Sequence, residues 1–187
     1  MDTGTIVYIA LDGVYAGYIV ISDKVREDSK SAVEALRKLG VRRLVMLTGD
    51  SQSVGVKIGR DLGLDEVTAE LLPDRKVAEL ERLDASKPGK GKLVYVGDGI
   101  NDAPVLARAD VGIAMGGAGS DSAIEAADIV IMTDEPSKLA SAIKIAQRTR
   151  HVVWQNIIFA MGVKIIVLAL GAGGIATIWE AVFADVG

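Results

Sequence analysis

From residue 152 to residue 170 the chain runs for nineteen residues with one formal charge, Lys164. Such a run has few destinations. In hydrocarbon every backbone N–H and C=O must be satisfied within the segment, so a single crossing run has to be a helix. At the helical rise it reaches about 28 Å, enough for the apolar core of a bilayer. Arg148 and Arg150 precede it and put its start on the cytoplasmic side. Gly171-Ala172-Gly173-Gly174 reads as a turn, and residues 175–187 begin a second apolar segment that is too short to span. Trp154 and Trp179 fit interfacial anchors. The competing reading is a buried hairpin of core helices.

The preceding three quarters of the chain have a different pattern. Residues 94–102 read Val-Tyr-Val-Gly-Asp-Gly-Ile-Asn-Asp, a β-rich run that ends in glycines and three acid or amide side chains. A parallel sheet opens its ligand crevice at the carboxyl ends of its strands, so Asp98, Asn101 and Asp102 are candidates to face a magnesium ion and a phosphate. Residues 44–47 form a second apolar strand, closed by Thr48-Gly49-Asp50. Pro73-Asp74-Arg75-Lys76 opens a helix and offers one lysine. Hydroxyl, ammonium and carboxylates on neighbouring strand ends suit phosphoryl transfer, which needs positioning and charge neutralisation more than covalent partners. Taken singly, the acids also fit a hydrogen-bonded turn, Thr48 and Asp50 fit helix N-caps, and Lys76 fits a solvated surface.

The remaining elements follow in order. Residues 5–11 and 14–21 are β-rich and joined by Asp12-Gly13, a hairpin signal. Asp28 or Ser29 is positioned to cap a helix carrying Val33, Leu36 and Leu39 and stopped by Gly40. Val54, Ile58 and Leu62 mark another helix ended by Gly63, residues 67–71 a strand, and Val77, Leu80 and Leu83 a third helix ended by the breakers of 86–91. Residues 103–109 read as helix, 111–115 as strand, 116–120 as a glycine-rich turn, and Asp121 as the start of a short helix. Residues 129–132 are the last strand, and Glu135-Pro136-Ser137 starts a helix that runs through Arg148 and Arg150. This alternation predicts an α/β fold with a doubly wound parallel sheet. The net charge of −4, with both signs interspersed, argues against nucleic acid, and the absence of cysteine excludes disulfides and thiolate metal sites. His151, Met115 and Met161 read as packing or interfacial residues.

Thr48-Gly49-Asp50, Pro73-Asp74-Arg75-Lys76 and Gly97-Asp98-Gly99-Ile100-Asn101-Asp102 resemble, in order and spacing, three phosphorylation-domain motifs of the P-type ATPases, in their heavy-metal-transporting group. The resemblance implies a haloacid-dehalogenase-like fold. Asp23-Lys24-Val25-Arg26 is similar to the hinge where that family's chain leaves its nucleotide-binding domain, so 1–22 would be the last hairpin of that domain, 23–147 part of the phosphorylation domain and 148–187 membrane segments. The family's Asp-Lys-Thr-Gly-Thr motif, whose aspartate accepts the phosphoryl group, is absent from these residues. The expectation is therefore an inactive fragment whose upstream part is missing, with a gap in the sheet between the strands ending at Leu47 and Val96.

The resemblance also implies roles. Asp98 and Asp102, with Asn101, would hold magnesium; Thr48, Gly49 and Lys76 would contact the phosphoryl group; Asp50, Asp23 and Arg26 would serve the ATP side. Lys164 and Asp185 would belong to the transport site of a zinc, cadmium, lead or cobalt exporter in the lipid bilayer. A soluble haloacid-dehalogenase-like phosphatase and a non-catalytic module are the alternatives.

Overall fold

The computed structural model describes residues 5–21, 25–97, 100–116 and 121–174. The chain divides into two compact units, Met1–Ala140 and Ser141–Gly187.

The first unit opens with strands β1 (Thr5–Leu11) and β2 (Val14–Ile21), paired antiparallel from Thr5↔Ile21 to Leu11↔Val14. Asp12 and Gly13 have φ of 48° and 80°, the pair of positive values that a two-residue turn between twisted strands demands. Successive side chains point to opposite faces, and Tyr8, Leu11, Val14 and Tyr15 are all more than 60% exposed, so neither face of the hairpin is covered.

Helices α1 (Ser29–Lys38), α2 (Gln52–Leu62) and α3 (Pro73–Ser86) alternate with strands β3 (Val45–Leu47), β4 (Glu66–Thr68) and β5 (Val94–Gly97). A 3-10 turn (Ile100–Asp102), α4 (Ala103–Leu106), β6 (Val111–Met115), α5 (Asp121–Ala126), β7 (Ile129–Ile131) and the long α6 (Ser137–Ala172) follow. The parallel strands fall into two blocks, β3-β4 and β5-β6-β7. Among the described residues no ladder joins β3 to β5, where the missing strand is expected. β6 is the middle strand of its block and is packed on both faces: Ala114 meets Leu106 and Ala123, while Ile113 and Met115 meet Ile131.

The strands are short, and an aspartate fixes the start of three pairings. Asp65, Asp110 and Asp128 each immediately precede a strand, and each carboxylate accepts a backbone N–H from the neighbouring chain segment, from Leu44 at 2.7 Å, Leu93 at 2.8 Å and Gly112 at 2.8 Å. The backbone N–H donated from Leu93, with the Lys87 and Lys92 ammonium groups beside it, holds the Asp110 carboxyl far below the usual carboxylate range. Asp65 is lowered by the Leu44 N–H and by Arg37, which donates to it at 3.0 Å.

The structure departs from the sequence reading at several boundaries. The strand expected at 67–71 ends at Thr68, because Glu70 adopts a left-handed φ of 57° and turns the chain. The helix expected at 103–109 is a four-residue turn of α-helix behind the 3-10 turn. Asp28 occupies the N-cap position of α1 but makes no side-chain cap; its carboxylate accepts the Ser137 N–H at 2.9 Å instead. α6 continues to Ala172 before turning at Gly174 with φ 73°. In the second unit the apolar side chains of α6 are exposed, Phe159 and Leu168 by 74% and 71%. The helix has the length and composition to cross a membrane. The second apolar segment, with Trp179 and Asp185, lies outside the described residues.

The lowered carboxyls set a sign for pH dependence. A group whose folded pKa lies below its unfolded value contributes stability above that unfolded value and loses it as pH falls towards the folded one. Asp65 and Asp110 should therefore protect the Leu44 and Leu93 amides fully at pH 6 and lose hold of them progressively below about pH 4. Hydrogen exchange followed by NMR or mass spectrometry checks this after correction for the intrinsic rate. Asp110→Ala should expose the Leu93 amide already at pH 6.

Candidate active site at the strand ends

Thr48 follows β3 directly, and its hydroxyl is used within its own loop. It donates to Asp50 Oδ2 at 2.8 Å and accepts the Asp50 N–H at 3.1 Å. Two further bonds hold the loop from outside: Leu71 N–H to Thr48 O at 3.0 Å and Glu70 N–H to Asp50 O at 2.9 Å. Neither Thr48 nor Asp50 is an N-cap. Ser51 occupies that position on α2, and the Gln52 N–H is taken by Glu70 Oε1 at 3.2 Å.

Lys76 stands in the first turn of α3, which Pro73 opens at a position where a missing N–H costs nothing. Its Nζ donates to Asp102 Oδ1 at 2.8 Å, and the Tyr95 hydroxyl donates to the same oxygen at 3.0 Å. The Lys76 and Asp102 side chains are 17% and 10% exposed. Asp102 is the buried charged residue among the described residues, and such a group persists only when paired and hydrogen-bonded. Gly97 makes the approach possible, since a Cβ there would lie 2.9 Å from Asp102 Cβ and 3.0 Å from both Asp102 Oδ2 and Tyr95 Cε1.

The expected site residues are thus brought together in part. Lys76 and Asp102 are in contact, and the Thr48 loop is bonded to the segment that leads into α3. Asn101 is exposed on the 3-10 turn beside Asp102. Neighbouring oxygen donors of this kind suit a hard cation, but the donor set is incomplete: no group of three acidic, histidine or cysteine side chains that would hold a metal ion lies among the described residues. Asp98 and Asp23 lie outside the described residues. Arg26 donates to the Asp134 carbonyl and pairs with Asp134 Oδ1 at 3.2 Å. Lys164 is exposed on α6, and its expected partner Asp185 is outside the described residues.

Tyr95, Glu70 and Asp134 are given no role by the sequence, and Gly97 is read there only as the first residue of a motif, not as the space that lets Asp102 approach. Tyr95 and Gly97 had a signal, because alternation along β5 puts them on one face two residues apart, turned toward the loop that carries Asp102. Glu70 and Asp134 had none.

The fold and these strand-end groups together define a class. A haloacid dehalogenase-like hydrolase model matches residues 2–110 and a second model of that description residues 80–143. The chain belongs to the haloacid dehalogenase-like hydrolase family. A cadmium, zinc and cobalt-transporting ATPase of Bacillus subtilis (strain 168) is 61% identical over 186 residues, covering 100% of this chain and 26% of the relative. A zinc-transporting ATPase of Synechocystis sp. is 58% identical over 184 residues, covering 98% and 25%. The solved structure of a zinc-transporting PIB-type ATPase in its E2.Pi state superposes with a TM-score of 0.82 at 38% identity, covering 97% of this chain and 29% of that one. The resemblance read from the three motifs is borne out, and the chain spans about a quarter of the length of the curated relatives it matches.

Breaking the pair should be costly. Asp102→Ala leaves Lys76 without this carboxylate and removes one hydrogen bond from Tyr95, and should destabilise the first unit by about 3 kcal/mol, the low end for a buried pair. Urea unfolding of the first unit within the full chain, read by amide exchange in β5 and β6, measures it. Asp102→Asn, which keeps an oxygen for Tyr95, should cost less.

Proposed function

We propose that this chain supplies the phosphate-facing part of the phosphorylation domain and a membrane helix of an ATP-driven exporter of divalent zinc, cadmium, lead or cobalt ions that cycles through an aspartyl-phosphate. The observation that carries this reading is the buried Lys76–Asp102 pair at the carboxyl ends of the strands, in the same fold unit as the Thr48 loop. The relatives that share this stretch are named as transporters of these metals, lead excepted.

An ammonium has three donors. One of Lys76 is fixed on Asp102, which orients the other two toward phosphoryl oxygens arriving at the strand ends. The Thr48 hydroxyl, now spent on Asp50, is a donor that the same oxygens can claim. The accepting aspartate would stand between β3 and β5, on the strand that this chain does not contain. Asp98, with Asn101 and Oδ2 of Asp102, would hold magnesium, which when bound neutralises charge on the phosphoryl oxygens. Asp23 and Arg26 would lie at the hinge to the ATP-binding side, and residues 1–22, 23–147 and 148–187 would belong to the nucleotide-binding, phosphorylation and membrane parts. The first unit would face the cytoplasm and the apolar segments would make the protein multi-pass, with Lys164 and Asp185 at the transport site.

The chain by itself should form no phosphoenzyme, because its groups stabilise a transfer but none accepts it. Purified chain given radiolabelled ATP should take up no acid-stable label; label that Asp98→Ala abolishes would overturn this. In a longer protein that carries this sequence downstream of an Asp-Lys-Thr-Gly-Thr motif, zinc should stimulate phosphoenzyme formation. There Lys76→Ala should slow it by on the order of a hundredfold, and Asp185→Ala should remove the zinc stimulation. Unchanged rates in both variants would sink the exporter reading.

A further inference from the structure

Helix α6 is one-sided in charge. From Ser137 to Ala172 it carries Lys138, Lys144, Arg148, Arg150, His151 and Lys164 and no acidic residue. Lys144 and Arg148 are four residues apart and His151 three further on, so at 100° per residue the three share a strip about 60° wide. All three are exposed. Among the described residues no ion pair involves Lys144, Arg148 or Arg150. Like charges at the spacing of Lys144 and Arg148 repel one another along a helix, a cost that an anion seated between them removes.

The position of the strip says which anion. Trp154, 54% exposed, stands at the start of the apolar run, the level that indole rings take at a bilayer interface. Measured along the axis from residue 152, Arg148 lies about 6 Å and Lys144 about 12 Å outside the run. The headgroup layer extends roughly 5 to 8 Å beyond the hydrocarbon on each side, and a lysine stem reaches back about 6 Å. Both cations therefore meet the layer that holds lipid phosphates, while Lys138, a further six residues out, does not.

We propose that Lys144, Arg148 and His151 form a docking strip for the headgroup phosphate of anionic phospholipids in the leaflet where α6 enters the membrane. The proposal rests on the membrane reading of α6 given above. It adds a lipid partner that holds the helix at a fixed depth, at the point where the helix leaves the first unit's sequence and becomes apolar.

The test uses the full chain, purified in detergent and reconstituted into phosphatidylcholine vesicles with trace spin-labelled phosphatidylglycerol or phosphatidylcholine. The motionally restricted fraction should favour phosphatidylglycerol, by roughly fivefold for each cation in reach at low ionic strength. K144Q/R148Q should lose most of that preference and K138Q should keep it; glutamine is a good helix former, so both variants retain α6. Salt at about 0.5 M should weaken the preference of the parent chain. Equal association of the two lipids with an inserted chain overturns the proposal while leaving the membrane helix standing. Loss of the preference on adding about 10 mM inorganic phosphate overturns it in favour of a free-anion site. A chain that stays soluble and does not enter vesicles overturns the membrane reading as well.

Discussion

Among the described residues no ladder joins the two blocks of parallel strands, and side chains of helix α3 reach toward both. It follows β4 and precedes β5, so it belongs by sequence to both blocks. Leu80 and Leu83 bury its inner face. Its polar contacts fall at both ends and in the middle: Lys76 to Asp102 at the start, Glu81 to Arg108 halfway, and Lys87, just past its end, to Asp110. Toward β4, Glu79 accepts from the Thr68 hydroxyl at 3.2 Å. The exposed members of this set contribute little individually. Lys76–Asp102 differs because it is buried, so the two blocks cannot separate at that end without stranding a charge.

That one contact serves stability, and in the function proposed above it serves chemistry as well. Asp102 reaches Lys76 only because Gly97 leaves room behind it and Tyr95 fixes the same oxygen from β5. The Thr48 loop, held by the backbone of Glu70 and Leu71, lies against the segment that enters α3. Loop positions are thus set by neighbouring loops as well as by the strands they follow, since the Thr48 N–H also bonds to Thr68 O at the end of β4. A shift of α3 along its axis would move the ammonium and the stretch supporting Thr48 as one body. Groups that bind a transferred phosphoryl must keep such relative positions within fractions of an ångström.

The strand starts show a separate economy. Strands of three to five residues have few ladder bonds, and Asp65, Asp110 and Asp128 each add a carboxylate bond where a pairing begins. Each sits at the amino ends of the strands, opposite the candidate site. Carboxylates at one end thus serve pairing, while at the other end Asp102 holds the Lys76 ammonium. The distinction was invisible in composition, where all of them count equally toward the net charge.

Local pattern was enough for the elements. Asp12-Gly13, Gly63 and the run from 152 to 170 each impose a backbone conformation through sterics or solvent that no distant residue can reverse, so the hairpin, the end of α2 and the apolar helix follow from the sequence alone. The alternation of strand and helix determines a parallel sheet, and hence that Thr48, Lys76 and Asp102 stand at the carboxyl ends of strands or just beyond them. What the tertiary structure decided is which side chain meets which. Asp28 leaves its cap for Ser137 and Arg26 takes Asp134, while Glu70 turns left-handed to close α2 from another loop. These partners are 18 to 109 residues apart. Hydrogen bonding is short-ranged in space and indifferent to separation along the chain, so such pairings exist only once packing has brought the segments within about 3 Å of each other.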